Sequence, residues 1–169
     1  LKDVFCRVAS GLALKGVCGE TFALVEDFAD LSDWTISWGD WDINDEKLHG
    51  SRWGGIFHND FSGQDYTITI DSATLTQGNG YGLYFRTQNP DNPEGYIFQY
   101  DPGYGDGAFL FRKWVNGYEL SPFAVEKAPG HDWHDEEHQI QVKVEGDTFT
   151  AYVDGQEVLT ASDDTYAEG

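Results

Sequence analysis

Residues 81–114, YGLYFRTQNPDNPEGYIFQYDPGYGDGAFLFRKW, constrain the fold more than any other part of the chain. Three short aromatic segments, 81–86, 96–101 and 109–114, are separated by the turn-forming strings NPDNPEG and DPGYGDG. Aromatic runs bounded by Pro, Gly, Asn and Asp predict an antiparallel meander. Alternation within the runs sends Leu83, Phe85, Tyr96, Phe98, Tyr100, Phe109 and Phe111 to a core. It leaves Tyr84, Arg86, Gln99, Asp101, Arg112 and Trp114 on the opposite face. Aromatic rings beside bidentate polar side chains make a surface suited to a sugar, which is held by stacking and paired hydrogen bonds.

The rest of the chain reads as further short strands. Residues 35–38, 41–43 and 47–49 suggest small strands with Asn44-Asp45-Glu46 as a turn, and 66–76 alternates through Ile68 and Ile70. Asn116-Gly117 marks a hairpin turn into 118–123. Residues 138–144, 148–153 and 156–161 form the last strands, broken at Gly146 and at Asp154-Gly155. Val4, Cys6 and Val8 suggest a strand at the N-terminus, and Leu12 and Leu14 another. No segment reads as a helix longer than a turn or two. Many short strands imply two packed sheets, an all-β sandwich.

The 169 residues are enough for one domain with a substantial core. A formal charge of −20 excludes nucleic acid and anionic membranes as partners, because both require a basic surface. No apolar run reaches the roughly 18 residues needed to span a bilayer. There is no Met, and no N-terminal signal segment is recognisable, so a processed or excised chain is expected. Cys6 and Cys18 are the two cysteines. Their spacing fits no zinc pattern; a local disulfide staple is the preferred reading, two buried thiols the other.

Several segments resemble a known family. VEDFADLSDWTISWGDWDINDEKLHG, GYGLYFRTQN, GYIFQYDPGYG, FRKWVNGYELSPF and HQIQVKVEGDTFTAYVDGQEVL look like successive strands of a concanavalin-like, or laminin-G-like, jelly roll. Similar domains occur in bacterial and archaeal surface proteins, in the sugar-binding modules of fructan-cleaving enzymes and as 3-keto-disaccharide hydrolase domains. The resemblance runs from about residue 25 onward and implies an antiparallel two-sheet sandwich. It also leaves calcium open as a cofactor, through loop carboxylates such as Asp27 or Asp154.

Such domains usually close with a further strand pair, whereas this sequence stops at Gly169 and carries an extra strand-like segment over residues 1–20. Permutation, truncation and a strand supplied by a neighbouring copy all account for this. The domain reading is therefore an N-terminal strand segment, 1–20, a candidate donor strand, and a sandwich over 21–169.

Other candidate chemistry is weaker. Asp40–Glu46 lacks the Gly and distal Glu of a calcium-binding loop and reads as a hairpin turn with solvated acids. His131, His134 and His138 have no spacing that aligns them on a metal. No E-x-D-x-x-E string of the kind found in retaining glucanases of this fold is present. The expectation is a non-catalytic extracellular module that binds carbohydrate through the polar face. The alternatives are a filament subunit assembled with identical copies by strand exchange, and a glycoside-processing enzyme resembling 3-keto-disaccharide hydrolases.

Overall fold

The computed structural model describes residues 4–8 and 22–169, with side chains from residue 24 onward except those of 51–53. Among the described residues there are thirteen strands: β1 Val4–Val8, β2 Phe22–Glu26, β3 Trp34–Asn44, β4 Lys47–His58, β5 Tyr66–Thr74, β6 Tyr81–Gln88, β7 Glu94–Asp101, β8 Ala108–Val115, β9 Tyr118–Glu119, β10 Ala124–Lys127, β11 Glu137–Glu145, β12 Thr148–Val153 and β13 Gln156–Ser162. They form a six-stranded sheet, β13-β12-β11-β5-β1-β2, a second sheet, β10-β8-β7-β6 with β9 on β8, and the separate hairpin β3-β4. Pairing is antiparallel except around β1, which runs parallel to both β2 and β5 of its own chain. The Cys6–Cys18 staple and the strand read from Leu12 and Leu14 lie outside the described residues.

The core lies between the two large sheets. Phe85, Tyr96, Phe98, Tyr100, Phe109 and Phe111 come from the meander, and Ile68, Val142, Val144, Phe149 and Ala151 from the facing sheet. Leu83 packs at its margin, so the inward set read from alternation meets in one cluster. Burial at period 2 is clearest in β12, where Phe149, Ala151 and Val153 are covered and the residues between them are partly open. Aromatic pairs knit the layers: Phe149 lies 4.9 Å from Phe85 and 4.7 Å from Tyr96, in tilted or edge-on geometry.

Two-residue turns set the registers. Asn116-Gly117 and Asp154-Gly155 have φ of 51°, 73° and 53°, 74°, the left-handed pair that joins twisted strands tightly. Asp45 and Glu46, at 52° and 57°, do the same without a glycine. The three small strands expected over 35–49 are instead one long hairpin. Bulges at Ile36/Trp38 and Trp38/Asp40 let β3 and β4 stay paired from Trp34↔His58 to Asn44↔Lys47. The strand expected over 118–123 is shorter: β9 ends at Glu119, and the chain resumes pairing with β8 at Ala124.

Candidate functional site

Strand register builds the outer face of the second sheet row by row. Tyr84 stands opposite Ile97 and Ile97 opposite Arg112; Gly82, Gln99 and Leu110 form the next row. Trp114 faces Gly95 on one side and Glu119 on the other. Tyr84, Gln99, Asp101, Arg112 and Trp114 thus share the face that alternation assigned to them.

Arg86 does not join them. The register slips between Phe85 and Gln88, and Arg86 takes φ 46°, so the parity of the strand is reset at that residue. Its side chain is 3% exposed and lies over the Phe149 ring at the end of the sandwich. The guanidinium donates to Gln64 O at 2.7 Å, Gly146 O at 2.5 Å and Tyr166 O at 3.0 Å, with Asp65 4.0 Å away. Five donors in a fixed fork suit a role tying three chain segments together.

On the outer face, Arg112 donates from Nη1 to Glu119 Oε1 at 2.7 Å and from Nη2 to Asp101 Oδ2 at 3.2 Å. Gln99 Nε2 donates to the other Glu119 oxygen at 2.8 Å. Asp101 thus neutralises Arg112 across the strands, with Glu119 as a second acid. It does not use up the polar groups. Gln99 Oε1, Arg112 Nε and Trp114 Nε1 are sealed from solvent without a hydrogen-bond partner. Each such atom costs on the order of 1–3 kcal/mol, and a ligand hydroxyl relieves that cost.

An aromatic wall stands beside these atoms. Trp38 of β3 stacks on Trp114 with centroids 5.6 Å apart and planes at 21°. Tyr84 meets both edge-on, and Phe57 of β4 packs 5.0 Å from Tyr84. Burial, then the Glu119 charge, pushes the Tyr84 hydroxyl well above its usual range and keeps it neutral. The hairpin can bring Trp38 in because β4 is glycine-rich: a Cβ on Gly55 would come within 2.6 Å of the Trp38 ring. The Ser37 hydroxyl donates to Pro90 O and links the hairpin to the β6–β7 loop. A cleft of about 650 Å³ opens between Trp38, Trp114, the loop residues Asp91 and Asn92, and Tyr118, which is 75% exposed.

Trp38, Asp91, Asn92, Tyr118 and Glu119 were not among the residues singled out from the sequence. Glu119 was within reach: a two-residue turn at Asn116-Gly117 pairs Val115 with Tyr118 and Trp114 with Glu119. Trp38 was not, because its position depends on a hairpin that folds over the sheet without pairing to it.

The remaining metal candidates are engaged within the protein. Asp27 accepts from Ala29 N at 3.0 Å. Asp154 accepts from Gln139 N at 2.9 Å and lies 2.8 Å from His138 Nδ1, while His138 Nε2 lies 2.5 Å from Asp132 O. His131 packs against Tyr100 and Phe109, with the His138 ring 4.8 Å away.

Residues 23–169 match the model of a family described as the 3-keto-alpha-glucoside-1,2-lyase-like domain. The chain is 30% identical over 145 residues to the levanase of Bacillus subtilis (strain 168), covering 83% of this chain and 20% of that enzyme. It thus spans about a fifth of the curated relative it matches. Among solved structures, the carbohydrate binding module CBM66 from Bacillus subtilis superposes with a TM-score of 0.68 at 30% identity, over 81% of this chain and 83% of that one. The beta-glucanase of Bacillus licheniformis gives 0.51 at 14% identity, over 85% and 80%, a likeness of fold alone. The fold is a concanavalin-like jelly roll, as the sequence resemblance implied.

Proposed function

The chain belongs to the 3-keto-alpha-glucoside-1,2-lyase-like domain family, and from the geometry of its outer face we propose that it is a non-catalytic carbohydrate-binding module. The observation that carries this is the set of three unpartnered buried polar atoms, Gln99 Oε1, Arg112 Nε and Trp114 Nε1, beside the Trp38–Trp114 stack. One acceptor and two donors next to a flat aromatic wall match the hydroxyls and the apolar face of a sugar ring. Likeness to a carbohydrate binding module and to a levanase supports the same class, with a secreted or surface location and a fructan as the first polymer to try.

Binding is favoured over hydrolysis at this face. Asp101 and Glu119 are both held by one guanidinium, which leaves no separate acid and base flanking a scissile bond. Asp40 and Asp91, which line the cleft, and the charge of −20 select for neutral sugars over anionic ones.

Calorimetric titration with levan and with neutral oligosaccharides tests the reading. Trp114→Ala and Gln99→Ala should each weaken binding at least tenfold, about 1.4 kcal/mol. Lys143→Ala, on the far sheet, should leave affinity unchanged. Equal affinity in all three variants would remove the site.

A further inference from the structure

The cleft and the unpartnered polar atoms of the outer face coincide only in part. Of the residues that carry those atoms, Trp114 lines the cleft, whereas Gln99 and Arg112 do not. Strand register sets their spacing. Gly95 is the β7 partner of Trp114, and Gln99 lies four residues further along the same strand, so the two rows are about 13 Å apart. That span exceeds one sugar ring. A ring held by Gln99, Arg112 and Trp114 therefore leaves room in a cleft of about 650 Å³ for a second one beside it.

The other end of the cleft carries a ring and polar groups that the fold itself does not use. Tyr118 is 75% exposed, and its ring stacks on no described residue. Asp91 and Asn116, also in the lining, are exposed, and their side chains make no hydrogen bond or ion pair with a described residue.

The backbone beneath these groups is tied down. Asn116 and Gly117 take the left-handed pair of the tight turn. Gly117 N donates to Pro93 O at 3.0 Å, and Leu120 N donates to Lys113 O at 2.9 Å. Asn92 occupies the space over Gly117, where a Cβ would come within 2.4 Å of its Oδ1. The β6–β7 loop and the β8–β9 turn thus form one unit. Tyr118, Asn116 and Asp91 are presented from it, and binding orders little new backbone.

We infer that Tyr118, Asn116 and Asp91 form a second sugar subsite, and that the ligand is a neutral oligosaccharide of at least two linked residues. This rests on the reading of the outer face as a sugar-binding surface. One ring meets Gln99, Arg112 and Trp114. The next lies on Tyr118, which offers a flat apolar face. Its hydroxyls donate to the Asp91 carboxylate, and the Asn116 amide both donates and accepts.

Calorimetric titration with levan oligosaccharides of one to four residues, and with a gluco-oligosaccharide series of the same lengths, tests the subsite. In at least one series, affinity should rise at least tenfold between one and three residues and then level off. Tyr118→Ala should abolish that rise, and Tyr118→Phe, which keeps the ring, should preserve it. Because Tyr118 is largely exposed, the alanine variant should keep its fold, which circular dichroism checks. Trp114→Ala, by contrast, should weaken every length alike. Affinity independent of length in the unsubstituted protein, or a full rise in Tyr118→Ala, would overturn the subsite while leaving Trp114-dependent binding, and with it the reading of the sugar face, intact. Binding of neither series would remove both.

Discussion

His138 sits between two acceptors, the Asp154 carboxylate at Nδ1 and the Asp132 carbonyl at Nε2. Only the imidazolium can donate to both. Burial works against the charged ring, but these two acceptors outweigh it and the His138 pKa is raised. His131, 4.8 Å away, goes the other way, lowered by burial and then by His138. The signs oppose. The His138 contribution is complete below pH about 6.5 and is lost as pH rises through its folded pKa; that of His131 is present above about 6.5 and is lost as pH falls. Asp154→Asn should therefore reduce stability more at pH 5.5 than at pH 9. Because Asp154 is half exposed, the difference should stay under about 1 kcal/mol. Urea unfolding at the two pH values measures it; a larger loss at pH 9 would refute the assignment of charge.

Among the elements, the β3-β4 hairpin separates the proposed ligand contact from folding. It supplies Trp38 and Phe57 to the aromatic wall, yet its backbone pairs only within itself. Gly55→Val should displace the Trp38 ring and lower sugar affinity at least tenfold, while the Tm of the sandwich shifts by only a few degrees. Calorimetry and circular dichroism together check this, and a global loss of fold would contradict it. The same strands show where sequence reading stops. β6, β7 and β8 were legible because period-2 alternation of large aromatics and Asn/Pro/Gly turns survive in the one-dimensional pattern. The bulge at Arg86 was not, since one slipped register inverts every later assignment and nothing in YFRTQN announces it. The orphaned atoms of Gln99, Arg112 and Trp114 were not legible either. Which polar atoms go unpaired depends on how side chains from three strands pack in space, which the one-dimensional pattern does not carry.

For the whole molecule, the sandwich and its core follow from the pattern of strands, but the order of strands does not. β1 lies between β5 and β2, flanked on both sides by parallel neighbours more than ten residues away in sequence. Long-range parallel pairing leaves no local signature, so the N-terminal segment left permutation, truncation and a strand supplied by a neighbouring copy all open in the sequence. Removing residues 1–8 opens the edges of β5 and β2 at once. The shortened protein should be less stable and should self-associate, as size-exclusion chromatography with light scattering would register; a stable, strictly monomeric product would show that β1 is dispensable.

The isolation of the hairpin from both sheets also bears on how such a molecule changes over generations. Stability is stored in the aromatic layer between the sheets, and the cleft is bounded by Trp38 and by the loop at Asp91 and Asn92. Preference for a new ligand can therefore be acquired by substitutions at the exposed positions of 34–58 and at 91–92 without renegotiating the core. Libraries diversified at those positions should keep a high fraction of folded members.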